Sequence, residues 1–144
     1  TSDNLSKLML RLREKNGPEA IAYLVANKIK TMKRENKEFG VVLVDGVRSM
    51  AEIHVLRSVG NVKLLAIHGS TLTRYSHIRE RARSDVPSNI GEFDKRDKVE
   101  MGVGISDAIA LADETISNND ISISELCDLS LRIVQKWMDE NKIK

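Results

Sequence analysis

Apolar positions in this chain recur at helical spacing, and the helical stretches are broken by short, unbroken apolar runs. Leu5, Leu8, Met9 and Leu12 follow three good N-caps, Ser2, Asp3 and Asn4, and predict an opening helix. Asn16-Gly17 ends it, and Pro18 fits the first turn of the next. There Ile21, Leu24, Val25, Ile29 and Met32 predict the buried stripe, with Lys28 its one polar intruder. Charged residues from Lys33 to Glu38 lead to Gly40 and the run Val41-Val42-Leu43-Val44. Mostly β-branched and not alternating, that run predicts a strand at 41–45 buried on both faces, as in parallel sheets.

Ser49-Met50-Ala51-Glu52 is a capping box, so a helix starts just past Arg48, with Ile53 and Leu56 toward the sheet and Gly60 as its close. Val62 to Ile67 predicts a second strand ending in His68-Gly69-Ser70, joined to the first by a right-handed crossover. A helix from about Thr71 is dense in arginine, and Ser84 to Asn89, containing Pro87, breaks the pattern. Gly91 to Met101 reads as a charged helix, interrupted by Gly102 and Gly104 before a short helix through Leu111. Glu114 to Ser117 predicts a third strand, with Asn118-Asn119-Asp120 as its exit. The last helix takes Ser122 or Ser124 as cap and buries Leu126, Leu129, Ile133, Val134, Trp137 and Met138. Strands alternating with helices predict an α/β protein with a parallel sheet, although only these three strands are found.

At 144 residues the chain is expected to be one domain, and 41% apolar with 31% charged residues suits a soluble globular protein. A net charge of +2 gives no global field for nucleic acid, and 3% aromatics argues against a stacking platform for single strands. A single cysteine, Cys127, excludes an internal disulfide and a multi-cysteine metal site; its apolar surroundings predict a core residue. No apolar run nears the roughly 18 residues of a membrane span and no signal peptide precedes the first helix, so a cytoplasmic protein is expected.

Candidate chemistry begins at Asp45 and Arg48. An acid and a base three residues apart beyond a strand, with Gly46 between, suit a polyanion and its metal; the alternative is a turn with solvated charges. On the arginine helix, Arg74 and Arg81 lie seven apart on nearly one face, while Arg79 and Arg83 form an i,i+4 pair on another. Such a helix is either a solvated face or a movable lid for a phosphate-rich ligand. His54, His68 and His77 have no metal-ligand spacing, and no Gly-x-Ser-x-Gly elbow supports a serine hydrolase. Asp94, Arg96, Asp97 and Glu100 read as an ion-pair network on an exposed helix.

Taken in order, these segments resemble a known group of proteins. Val44-Asp45-Gly46-Val47-Arg48 is similar to the strand–Asp-Gly-x-x-Arg segment of nucleoside monophosphate kinases such as adenylate kinase, one residue shorter. Arg74 to Arg83 resembles their arginine-bearing lid helix, and Ala112-Asp113-Glu114-Thr115-Ile116-Ser117-Asn118 resembles the Ala-Asp-x-x-Ile-x-Asn segment of dephospho-CoA kinases. From Arg11 to about Asn118 the chain resembles an uncharacterised archaeal family of P-loop NTPases related to both. The resemblance implies a three-layer P-loop kinase-like fold, with residues 71–101 as a lid-like segment, and ATP with Mg2+ as cofactors. It implies phosphoryl transfer to a nucleotide or coenzyme precursor, with no specific nucleic acid and no membrane as partner. It makes Asp45 the acid near magnesium and the acceptor, and Arg48 an acceptor-phosphate contact. Arg74 and Arg81 become clamps on the transferring phosphates with Arg79 beside them, Arg81 joins Asp45 as a catalytic group, and Asn118-Asn119 belong to the adenine pocket.

The departure from that pattern is large. The family opens with a strand and a Gly-x-x-x-x-Gly-Lys-Ser/Thr loop, which these 144 residues lack. The first strand and phosphate loop are therefore expected to be missing from an N-terminally incomplete domain that does not catalyse transfer alone. Unpaired interior sheet edges would then favour a homo-oligomer. The rival expectation is a non-catalytic module that binds nucleotide or RNA, or scaffolds a partner, through the arginine helix.

Overall fold

The computed structural model describes residues 2–35, 40–81 and 86–142. In chain order it forms α1 (Ser2–Asn16), α2 (Ala20–Glu35), α3 (Met50–Arg57), β1 (Leu65–His68), α4 (Thr71–Glu80), α5 (Ile90–Val103), α6 (Ile105–Ala110), β2 (Glu114–Ser117) and α7 (Ile123–Lys142). The protein is thus mixed α/β, mostly helical, with a two-stranded parallel sheet among the described residues. Its contacts gather into two compact units, Thr1–Val62 with Asp97–Ala108, and Lys63–Arg96 with Ile109–Lys144.

In the first unit α2 packs chiefly on α3. The buried residues of α2 are Ala22, Ala26 and Ile29, and those of α3 include Ile53 and Leu56. This corrects the expected stripe, since Leu24 is 62% exposed. The rest of the stripe holds: Ile29 is buried and Ile21, Val25 and Met32 are half-buried, with Ala22 and Ala26 buried beside them. Ser49 caps α3: its Oγ accepts from the Glu52 N–H at 3.3 Å. The Glu52 carboxylate reaches back one residue beyond the usual box, accepting from the Arg48 N–H at 2.7 Å. It is also paired with Arg13, whose Nη2 lies 2.5 Å from Oε1. Gly104, at φ +106°, closes α5 against this cap; a Cβ there would lie 3.4 Å from that of Ser49.

The expected strand at 41–45 does not form. Residues 40–49 carry no regular structure, and Val41, Val42 and Leu43 are 64%, 37% and 87% exposed. A β-branched run favours strand conformation, but a strand persists only when its backbone is paired. Among the described residues the only ladder is β1 with β2. The anticipated set of three strands is therefore two.

In the second unit β1 and β2 run parallel, registered from Leu65 opposite Glu114 to His68 opposite Ser117. Ahead of the ladder, Asp113 grips the chain twice: its Oδ2 accepts from the Leu64 N–H at 2.7 Å, and its own N–H donates to Leu64 O at 2.9 Å. β1 starts later than the expected Val62, and β2 matches its predicted bounds. Phe93 of α5, 2% exposed, is the largest side chain fully buried in this unit. The Tyr75 ring stands 5.5 Å away, tilted by 54°.

Two helices of this unit start on glutamate caps. Asn89 Oδ1 accepts from the Glu92 N–H at 3.0 Å while Glu92 accepts from the Ser88 N–H at 2.8 Å. Ser122 and Glu125 form the fully reciprocal box at α7. In both glutamates the backbone hydrogen bond, then the serine side chain, holds the pKa below the ordinary value. The predicted α7 stripe is right in phase but only half-buried, and Cys127 lies off it, exposed, contrary to expectation. Lys136 of α7 reaches Glu114 of β2 at 3.1 Å, and that hydrogen bond raises the lysine pKa.

Candidate functional site

The sequence candidates fall into two clusters, one in each unit. In the first unit, Asp45 and Arg48 bracket a turn made by Gly46 at φ +80°, a conformation that suits glycine. Nothing lies within 4 Å of where a Gly46 side chain would project, so this backbone is open to approach. Asp45 is exposed and Arg48 half-buried. The Arg48 Nε lies 2.8 Å from Glu100 Oε2, while its Nη1 faces Met9 Sδ at 3.9 Å. Glu100 Oε2 has no hydrogen-bond partner by angle, so this is an ion pair by distance without a well-aligned bond. Glu52 then fixes the Arg48 backbone from below.

Sequence reasoning missed this supporting set. Glu52 was legible only as a helix cap, and its partner Arg13 lies 39 residues away. Glu100, expected in an exposed network on its own helix, instead meets Arg48.

The second cluster lies where β1 and β2 end, the edge at which α/β sheets hold ligands. Asn118 donates its N–H to His68 O at 2.8 Å, which brings the exit of β2 against that of β1. A Cβ on the buried Gly69 would come within 3.2 Å of Asn118 O and Asn119 Oδ1, so glycine permits this closeness. Asn119 ties the loops together: Oδ1 accepts from the Ser70 N–H at 2.8 Å and Nδ2 donates to Ser117 Oγ at 3.2 Å. Ser70 in turn caps α4 by accepting from the Thr73 N–H at 3.2 Å.

Arg74 belongs to the same cluster. Its Nε donates to Gly69 O at 3.0 Å and its guanidinium lies 5.3 Å from the Phe93 ring centre. Arg79 is exposed, its guanidinium 5.9 Å from the Tyr75 ring centre, and borders an open hollow of about 390 Å³ with Leu72, Ser76 and Glu80. Arg81 directly follows α4 and is exposed. Of the two arginines expected on one face, Arg74 is half-buried within α4 and Arg81 is exposed at its C-cap. Arg83 and Asp85 lie outside the described residues.

Among the described residues no three His, Cys, Asp or Glu side chains gather into a metal site. Asp45 offers an exposed carboxylate, which suits Mg2+ only when phosphate and water supply its remaining oxygens. No helix among the described residues is long and apolar enough to cross a membrane.

No protein-family model matches the chain. It is 42% identical over 123 residues to a UPF0200 protein of Pyrococcus abyssi, covering 83% of this chain and 64% of the relative. A UPF0200 protein of Hyperthermus butylicus is 38% identical over 125 residues, 87% of this chain and 64% of the relative. One from Staphylothermus marinus is 34% identical over 141 residues, 98% of this chain and 71% of the relative. The chain thus spans only 64% of the length of the first two of these relatives. With matches of this extent in several archaea, the chain belongs to the UPF0200 protein family.

Proposed function

We propose that the whole protein is a P-loop-kinase-like phosphotransferase of three-layer α/β fold that binds MgATP and passes a phosphoryl group to a nucleotide or coenzyme precursor. What carries this is the shared exit of the parallel strands β1 and β2. Loops 49 residues apart meet there through Ser70 and Asn119, beside a capped helix and Arg74. The segments that resemble the kinases, Asp45 to Arg48, the arginine helix and Asn118-Asn119, are the ones found on open turns, strand exits and α4. Asn119 spends both ends of its amide on the loops, so Asn118 is the member of the pair left to meet a base. Phosphoryl transfer asks little covalent chemistry of a protein, and positioned charge does most of the work. Asp45 supplies negative charge toward a nucleotide-bound magnesium, while Arg48, Arg79 and Arg81 supply positive charge toward phosphates. Magnesium, when bound with ATP, neutralises the charge of the transferring group.

The test is ADP release by the natural full-length protein with nucleoside monophosphates and dephospho-CoA as acceptors. Turnover with one of them is expected, falling by about a hundred-fold in Asp45→Ala while the circular dichroism spectrum is unchanged. No turnover and no saturable MgATP binding would overturn the proposal. Binding of nucleotide or RNA without turnover, weakened by Arg79→Ala, would favour the non-catalytic module instead.

A further inference from the structure

We infer that Glu100 acts as a stand-in anion for Arg48, a carboxylate that an incoming phosphate monoester displaces. This rests on the proposed role of Arg48 as a phosphate contact. The Arg48 backbone is held in place: its N–H is bound by Glu52, which is buried, paired with Arg13 and part of the α3 cap. The side chain, by contrast, is half-exposed and meets Glu100 at 2.8 Å without an aligned hydrogen bond. Its remaining contact is the soft sulfur of Met9 at 3.9 Å. An anchored arginine whose side chain is a third exposed, and whose ion pair to the shielded Glu100 Oε2 is poorly aligned, is suited to exchanging one anion for another. A phosphate dianion offers the guanidinium more charge and a bidentate geometry than this single carboxylate oxygen. The open space beside Gly46, two residues before Arg48, leaves room for approach. Glu100 therefore makes phosphate binding weaker than Arg48 alone would allow, and shields the arginine from weaker anions.

The experiment titrates inorganic phosphate into the chain and follows the Arg48 Nε–H resonance by NMR. Glu100→Gln, Arg48→Met, their combination and Glu14→Gln are compared; Glu14 is an exposed carboxylate on α1. The expected results are a phosphate-induced shift of the Arg48 resonance and a Kd lowered about two- to five-fold by Glu100→Gln, the range for ion pairs of such exposure. In the Arg48→Met background that gain disappears, and Glu14→Gln gives none. If Arg48→Met abolishes binding but Glu100→Gln leaves Kd unchanged, the exchange is refuted and Arg48 remains a phosphate contact. If Glu14→Gln tightens binding equally, net charge explains the gain and the exchange is refuted. If Arg48→Met binds phosphate as the parent does, or the parent binds none, the role of Arg48 falls and the exchange with it.

Discussion

Replacing Glu52 with alanine removes one carboxylate and strands two donors. The Arg13 guanidinium, whose side chain is 11% exposed, loses its partner at 2.5 Å, and the Arg48 N–H loses its acceptor at 2.7 Å. Breaking a buried pair by removing one member costs about 3–5 kcal/mol, because the survivor stays desolvated. Glutamine keeps the shape and can still accept from Arg48, but turns a neutral amide toward Arg13, so about 2 kcal/mol is expected for Glu52→Gln. With two compact units, a single global unfolding energy is a poor readout. Amide hydrogen exchange at Ile53 and Leu56 of α3 reads the affected unit directly. Their protection is expected to fall about 100- to 4,000-fold in Glu52→Ala. Arg13→Met should cost less in the Glu52→Ala background than in the parent, since no carboxylate remains to be stranded. Protection within ten-fold of the parent in Glu52→Ala, or additive effects of the two substitutions, would refute this account of the buried pair.

Two further outcomes are expected. Gly69→Ala places a methyl 3.2 Å from Asn118 O and Asn119 Oδ1. It is therefore expected to destabilise the second unit by about 1–3 kcal/mol, seen as a lower urea midpoint in Trp137 fluorescence; an unchanged midpoint would show that the loops yield freely. Glu125 is held below its ordinary pKa first by the Ser122 N–H and then by the Ser122 hydroxyl. A depressed folded-state pKa means that the cap contributes fully above the unfolded-state value and is lost as pH falls through the folded one. NMR shifts of the first turn of α7 should thus lose helical character on acidification below the ordinary glutamate range, a dependence that Ser122→Ala weakens without abolishing, because the Ser122 N–H remains.

The helices and β2 were legible because their signals are local. Ser49 with Glu52, and Ser122 with Glu125, announce helix starts within three residues. The failed strand at 41–45 shows what local signals omit: four apolar residues state a conformational preference, while the partner that would satisfy it is not local. The same limit hid the site's support. Nothing near Glu52 in sequence points to Arg13, and nothing near Arg48 points to Glu100. On α2, the apolar spacing located Ile29 and its half-buried neighbours but misplaced Leu24 and passed over Ala22 and Ala26. As candidates, Asp45 and Arg48 stood out because they share one short segment, whereas Asn118 and Asn119 came from the resemblance to the kinases.

The alanine face of α2 has an entropic consequence. Alanine has no rotamers to lose, so burying Ala22 and Ala26 freezes no side-chain motion, whereas longer side chains each lose up to about 2 kcal/mol of such freedom. These two positions therefore add buried surface at no rotamer cost, beside the larger Ile29, Ile53 and Leu56 that the two helices also bury. A leucine at Ala22 or Ala26 would raise the hydrophobicity of α2 and still overpack a face already buried to within 4% of full cover.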